Sequence, residues 1–462
     1  MKLKIYTGII TCLLLSVLSC TKYVDIKTQG SLIPQETVNY RYLLNNNNIF
    51  EQSVMLPDIT SDDINIADSA QAASLAASSS YAYYINAYTW QSPIYPNPTD
   101  NDFDWNRLYT LIYNCNVIID EVPGSTNSTD SVKNELIAEA LVHRSDAYLT
   151  LVNMYAKPYD AGTAGSDFGV PLLLKPLVAG DIARASVAAV YGQIINDLTT
   201  AYPLLPRYSN FNFMPSKAAA FALLARANLY MANYPQAGTW ADSAMNIQKT
   251  LNNLSTLTAA TYPKRIVDPE IIFSKQAYQG FGYMPTAIRL SDTLLNVLGT
   301  SDLRYTLFTT PASTYSSTLY TGRYFYKERI GNAETRNIGP SVPEMMLIKA
   351  EALARSNNVT DALTMVNALR QKRFTTAAYT AVTATTAADA LLQVIKERQR
   401  EFFCRGLRWF DMRRLKNDAA FSRTVTHTFK GTAYTLAPAG NRYVFPIAEY
   451  YRSFHPNIVQ NP

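Results

Sequence analysis

Met346-Leu347-Ile348-Lys349-Ala350-Glu351-Ala352-Leu353-Ala354-Arg355 runs into a short turn at Asn357-Asn358, and Ala362, Val366 and Leu369 then resume at helical spacing. Apolar residues recurring every three and four positions give each half a single apolar face. Small alanines on one helix, met by Leu or Tyr knobs on the next, are how tetratricopeptide-type hairpins pack. The pattern predicts helices over 343–356, 360–373 and 386–405. Upstream it repeats over 186–201, over 215–233 with Ala219, Leu223, Ala227 and Tyr230 on one face, and over 235–252 with Trp240 and Ala244 inward. Two earlier helices follow from Trp105, Leu108, Ile112, Cys115 and Ile119, and from Leu136, Ala140, Ala147, Leu151 and Tyr155, the second capped by Asp130 or Ser131. No strict 34-residue repeat is present, so the hairpins are a degenerate version of that motif. The expected fold is mostly α: tetratricopeptide-like helical hairpins form a spine, with loop-rich, partly β insertions packed beside it.

The composition narrows the class. The chain has 462 residues, 48% hydrophobic, 17% charged and 12% aromatic, which a disordered chain would not show. One apolar run exists, at the N-terminus, so a multi-span membrane protein is excluded. The net charge is +5, and +3 without Lys2 and Lys4, too little for a nucleic-acid footprint. Tyrosine is abundant, 32 against 18 Phe and 4 Trp. A flat apolar face with one polar tip suits wet interfaces and polar ligands as well as cores.

Lys2 and Lys4 precede an apolar stretch over 9–18, and the segment closes Ser16-Val17-Leu18-Ser19-Cys20. This reads as a lipoprotein signal peptide over 1–19, with Cys20 as the acylated first mature residue. Two or three acyl chains on one residue anchor stably where one is marginal. Beyond it, 20–462 reads as one body. It comprises a tether and lead-in (20–50), a loop-rich ligand-side segment (51–102), helical hairpins (103–252), a loop-rich insertion (253–340), further hairpins (341–415) and a C-terminal segment (416–462). Cys115 and Cys404 are free to pair or to lie as two buried thiols.

Three blocks resemble the SusD/RagB family of outer-membrane nutrient-binding lipoproteins. The lipobox Cys20 is followed by Tyr23-Val24-Asp25. The 346–353 helix, with Ala362-Leu363 and Val366-Asn367-Ala368-Leu369-Arg370, resembles the family's helix pair ending in Asn-x-x-Arg. Glu397-Arg398-Gln399-Arg400-Glu401, Gly406-Leu407-Arg408 and Asp411-Met412-Arg413-Arg414 resemble its most recognisable block. The 105–116 helix and the closing Pro446-Ile447 and Asn461-Pro462 also fit, so the likeness spans nearly the whole chain. Arg405 stands where many members carry Glu. The resemblance implies a lipid-anchored, cell-surface glycan-binding protein that delivers its cargo to a SusC-like TonB-dependent barrel transporter. It implies no enzyme, cofactor, metal or nucleic-acid partner. Peptide cargo, a pure protein-interaction scaffold and a glycan-cleaving enzyme are the rivals.

The 397–414 block has its own physical logic. Glu397, Arg400 and Glu401 lie within one turn, and the arginines offer forks to carboxylates on neighbouring helices, an arrangement expected to organise the fold rather than to catalyse. His143, His427 and His455 are scattered, and no metal-spaced pair, nucleophile elbow or phosphate loop occurs. Asp58, Asp62, Asp63 and Asp68 would suit calcium chemically, but not at EF-hand spacing. A neutral oligosaccharide is held by flat rings and by amide or carboxylate hydrogen bonds. Tyr83, Tyr84, Trp90, Gln91, Asn97 and Asp100 supply these in one segment, and Tyr278 and Tyr283 in a second, glycine-bearing loop. Trp90 is the leading candidate for an open stacking platform, because Trp105, Trp240 and Trp409 each belong to a helical pattern.

Overall fold

The computed structural model describes residues 35–66, 69–177, 180, 182–277, 288–314, 321–325 and 337–461. Nine helices longer than eight residues are found among them: α1 Phe103–Glu121, α2 Asp130–Tyr155, α3 Val187–Ala201, α4 Lys217–Tyr230, α5 Tyr234–Met245, α6 Val342–Arg355, α7 Val359–Arg370, α8 Ala387–Phe402 and α9 Leu407–Leu415. Polar caps begin most of them. The side chains of Asp102, Ser186, Ser216, Asn358 and Thr386 accept from backbone N–H groups one turn in. For α2 the cap is Thr129, which accepts from Val132, and not the expected Asp130 or Ser131. The helix expected over 235–252 stops at Met245.

Each spine helix packs on the next: α1 on α2, α2 on α3, α3 on α4, α4 on α5, α5 on α6, and α6 on both α7 and α8. Alanine makes this possible. Ala219, Ala227, Ala244 and Ala350 are fully buried, and at the α5–α6 crossing a Cβ added at Gly238 would stand 3.0 Å from the Ala352 Cβ. Cys115 and Cys404 are both buried and are not bonded to each other.

The segments read as loops carry more order than the sequence suggested. Short helices Leu56–Ile59, Ser69–Ala76 and Ala82–Tyr88 occupy the ligand-side segment. Four two-stranded antiparallel ribbons occur among the described residues: β1 Ile64–Asn65 with β4 Arg289–Leu290, β2 Phe168–Pro171 with β3 Arg184–Ser186, β5 Thr309–Pro311 with β6 Arg323–Phe325, and β7 Val425–Phe429 with β8 Thr432–Leu436. In β7, Val425, His427 and Phe429 turn inward and the threonines between them outward, the period-two pattern of a half-buried strand.

The 397–414 block organises the interior. Arg304 is fully buried and donates to Asp302, Glu397 and Glu401 at 2.6–2.9 Å. Arg373 bridges Glu401 and Glu270, Arg398 holds Asp411, and Arg414 forks onto Glu351 at 2.6 and 2.7 Å. Such pairs tie helices far apart in sequence, and removing one partner would strand a buried charge at a cost of about 3–5 kcal/mol. Arg405, the departure from the family pattern, donates to the Asn337 carbonyl and to Ser341 Oγ.

Candidate functional site

The 51–102 segment is joined to the C-terminal ribbon through His427. Its imidazole lies between Tyr88 (centroids 4.2 Å apart, planes at 11°) and Trp90 (4.1 Å, 21°). His427 Nδ1 bonds the Tyr88 carbonyl at 2.7 Å, and burial holds the imidazole down at about 4, so it is neutral near pH 7. Trp90 Nε1 donates to the Thr60 carbonyl at 3.1 Å, and the Tyr88 hydroxyl accepts from Ile66 N and donates to the Thr428 carbonyl. Trp90 takes φ +50°, a left-handed backbone rare for so bulky a residue. The expectation of an open indole face is corrected here: Trp90 is only 6% exposed. Its proline-rich neighbourhood suggested exposure, but the ring stacks on His427 and the N–H donates to the Thr60 carbonyl inside the fold.

Of the other expected residues, Tyr83 is 9% exposed, its ring 4.6 Å from Tyr84 and 5.4 Å from Tyr95. It lies in the aromatic layer beneath the surface. Tyr84 and Asp100 are half-buried, whereas Gln91 and Asn97 lie at the surface. Asn97 and Asp100 spend part of their polarity on each other: Asn97 N donates to Asp100 Oδ2 at 2.8 Å and its Nδ2 to Oδ1 at 3.2 Å. Tyr278, Tyr283, Asp68 and Cys20 lie outside the described residues.

Beside the stack opens a cleft of about 340 Å³, walled by Asp62, Asn65, Ser291–Thr293 and Arg423–His427. Arg408 forks onto Asp62 at 2.6 and 2.8 Å, and Arg423, half-exposed, bonds the same carboxylate from the cleft side. Burial alone would raise Asp62, but Arg408 and Arg423 hold it down at about 2, so it stays ionised. Its neighbour Asp63 goes the other way, pushed up to about 7 by burial and by the Asp62 charge. The Thr293, Thr424 and Thr426 side chains are exposed and make no hydrogen bond among the described residues. The acidic run is thus committed to the protein itself: Asp58 accepts from Gly406 N, Asp62 holds two arginines, and Asp63 accepts from Gln399. No group of acidic, His or Cys side chains suited to a metal is found among the described residues.

Sequence reasoning missed the C-terminal wall of this cleft, Arg423–His427. The alternation Val425, His427, Phe429 was the available signal. Asn65 and Ser291–Thr293 carried none, since a two-residue ribbon between distant positions, Ile64 with Leu290 and Asn65 with Arg289, brings them together.

A family model described as starch-binding associating with outer membrane, of SusD-like type, matches residues 22–229, and the SusD family model matches 320–462. The chain belongs to the SusD/RagB family. A SusD superfamily protein from Bacteroides thetaiotaomicron superposes with a TM-score of 0.75 at 21% identity, over 92% of this chain and 100% of that one. A putative sugar binding protein from Bacteroides vulgatus gives 0.68 at 21%, over 94% and 99%. A SusD-like carbohydrate binding protein from the same species gives 0.68 at 18%, over 92% and 97%. At these identities the likeness is one of fold. No curated protein matches the sequence. No helix of the described residues is long and apolar enough to cross a membrane.

Proposed function

We propose that this protein is a lipid-anchored, cell-surface glycan-binding protein that captures an oligo- or polysaccharide and delivers it to a SusC-like TonB-dependent transporter in the outer membrane. The observation that carries the reading is the polar cleft of Asp62, Asn65, Arg423, Thr424 and Thr426, laid against the stack of Tyr88, His427 and Trp90 in a chain of this family. A sugar presents hydroxyls that donate and accept, and an ionised carboxylate, a guanidinium, amides and free hydroxyls answer them in fixed positions. Tyr84, Gln91, Asn97, Asp100, Tyr278 and Tyr283 are further proposed ligand contacts, and Cys20 is the proposed anchor. Tyr83 and Trp90 would then support the site from beneath. The role is binding rather than catalysis.

Affinity electrophoresis against plant, fungal and host polysaccharides, followed by calorimetry on the best one, tests the reading. Arg423→Ala and Thr426→Ala should each weaken the retained glycan, Arg423→Ala by about 1.5–3 kcal/mol, the scale of a hydrogen bond to a charged group. Undiminished affinity in both variants would remove the site from this cleft. Degradation products in the incubation would favour the enzymatic alternative.

A further inference from the structure

A larger cleft, of about 620 Å³, lies between the 157–168 segment and the C-terminal segment, and it shares no residue with the one above. Four cations line it, Lys157, Arg413, Arg414 and Lys416, against two carboxylates, Asp160 and Asp167. Two of these cations are already neutralised: Lys157 pairs with Asp167 at 2.6 Å, and Arg414 is held by Glu351 and Asp411. The others are not. Arg413 is 1% exposed, and its guanidinium reaches only the carbonyls of Tyr443, Asn153 and Ala156 and the Asn153 side chain. Lys416 Nζ donates to the Pro438 carbonyl at 3.1 Å and stands 5.4 Å from the Tyr443 ring centre, with no carboxylate in ion-pair range among the described residues.

A third such cation lies directly behind the wall. Arg184 donates to the carbonyls of Tyr155, Phe168, Gly169 and Val459 and to Asn461 Oδ1, and to no carboxylate. Carbonyl oxygens satisfy the N–H groups but leave the charge standing, so three positive charges focus into one concavity. The charge balance shows in the groups themselves. Burial first, and then Arg413 and Lys157, lower the Lys416 ammonium, while burial brings Arg184 and Arg413 down to about 10. The rest of the lining is neutral and unspent. Tyr159 is half-buried, Asn417 and Asn441 are exposed, and their side chains make no hydrogen bond among the described residues; the Phe168 ring is 51% exposed. The volume falls within the roughly 300–1,000 Å³ of small-ligand pockets, and a bare inorganic anion would leave the amides and the ring unused.

We propose that this cleft binds an anionic saccharide, a sugar bearing a carboxylate or a sulfate ester, with Lys416 as the direct ion-pair partner and Asn417, Asn441 and Tyr159 reading its hydroxyls. The inference is independent of the glycan site proposed above. Calorimetry on the full chain would use trigalacturonate, its carboxyl-reduced neutral counterpart, a sulfated galactan trimer and inorganic phosphate. Either or both charged trimers should bind at least tenfold tighter than the neutral one, and the preference should shrink between 20 and 300 mM salt because charge attraction is screened. Which trimer binds distinguishes carboxylate from sulfate. Lys416→Met, which keeps the stem over Tyr443, should weaken the charged trimer at least tenfold without moving the melting temperature, and Asn441→Ala should weaken it severalfold. Arg423→Ala should leave it unchanged. Equal binding of charged and neutral trimers, or phosphate binding as tightly as both charged trimers, would overturn the proposal. So would a folded Lys416→Met that keeps full affinity. If Lys416→Met fails to fold, the ligand comparison and Asn441→Ala decide by the same criteria.

Discussion

Trp90→Ala is the most informative single substitution, because two roles for the residue give opposite readouts. The indole is 6% exposed, stacks on His427 and donates its N–H to Thr60. Truncating a buried tryptophan to alanine costs about 3–5 kcal/mol, the transfer term plus the cavity left behind. The Thr60 carbonyl also loses its donor, adding about 1 kcal/mol. At about 2.1 cal/mol/K per residue, some 430 folded residues unfold with an entropy near 0.9 kcal/mol/K, so about 5 kcal/mol lowers the melting temperature by about 5–6 °C. The φ of +50° supplies an internal control. Alanine inherits the strained backbone, whereas Trp90→Gly relieves it, so the glycine variant should melt no lower than the alanine one despite losing one more carbon. Differential scanning calorimetry measures both, and titration with the retained glycan shows whether affinity follows. An unchanged melting temperature with abolished binding would refute the reasoning, because Trp90 would then be an exposed platform and not a support.

Ala350 is fully buried on α6, so Ala350→Asp should cost several kcal/mol by placing a carboxylate without a partner at a tight helix contact; a thermal melt unchanged from the parent would contradict the packing. Asp63 is raised to about 7 in the folded state, so the stability it confers is complete below the unfolded value near 3.8 and is lost as pH rises toward 7. Asp63→Asn should therefore gain stability relative to the parent at pH 7.5 but little at pH 4, read from denaturant midpoints at both. Asp62 and Asp411, both held at about 2, act in the opposite sense: their contribution is present above about 4 and is lost as pH falls through 2, visible as a steep acid limb. On the proposed lipid anchor, Cys20→Ala should release the protein from membranes into the aqueous phase, and retention needing detergent would contradict that anchor.

The spine was legible because its signal is local. Ala350, Ala362, Val366 and Leu369 declare a helical face within a few turns, and helix ends fell within three residues of expectation where a Ser, Thr or Asn cap or a Pro marked them. The helix expected to reach 252 ended at Met245, where the chain turns with Ile247 N bonded to the Ala244 carbonyl. The site was less legible for a different reason. Trp90 carries no helical periodicity, and its burial depends on His427, 337 positions later in the sequence and placed by β7. The Asp58–Asp63 run has oxygens that suit calcium but not EF-hand spacing, and its carboxylates meet Gly406, Arg408, Arg423 and Gln399. Residue types announced polarity and aromaticity correctly, but which face of each met solvent was decided by partners a single segment cannot reveal.

Those same bonds have a consequence for when the protein becomes a protein. Asp58 receives Gly406, Asp63 receives Gln399, and Asp62 receives Arg408 and Arg423, across sequence separations of 336 to 361 residues. A chain synthesised in sequence order carries the 56–63 segment without these partners until residues 399–423 are made. Its buried carboxylates acquire their counter-charges only when the last fraction of the chain arrives. Contacts of such long sequence separation are slow to form by the measure of contact order, so these bonds are expected among the last made. A truncation between Leu415 and Arg423 would keep α1–α9 whole and remove the Arg423 partner of Asp62.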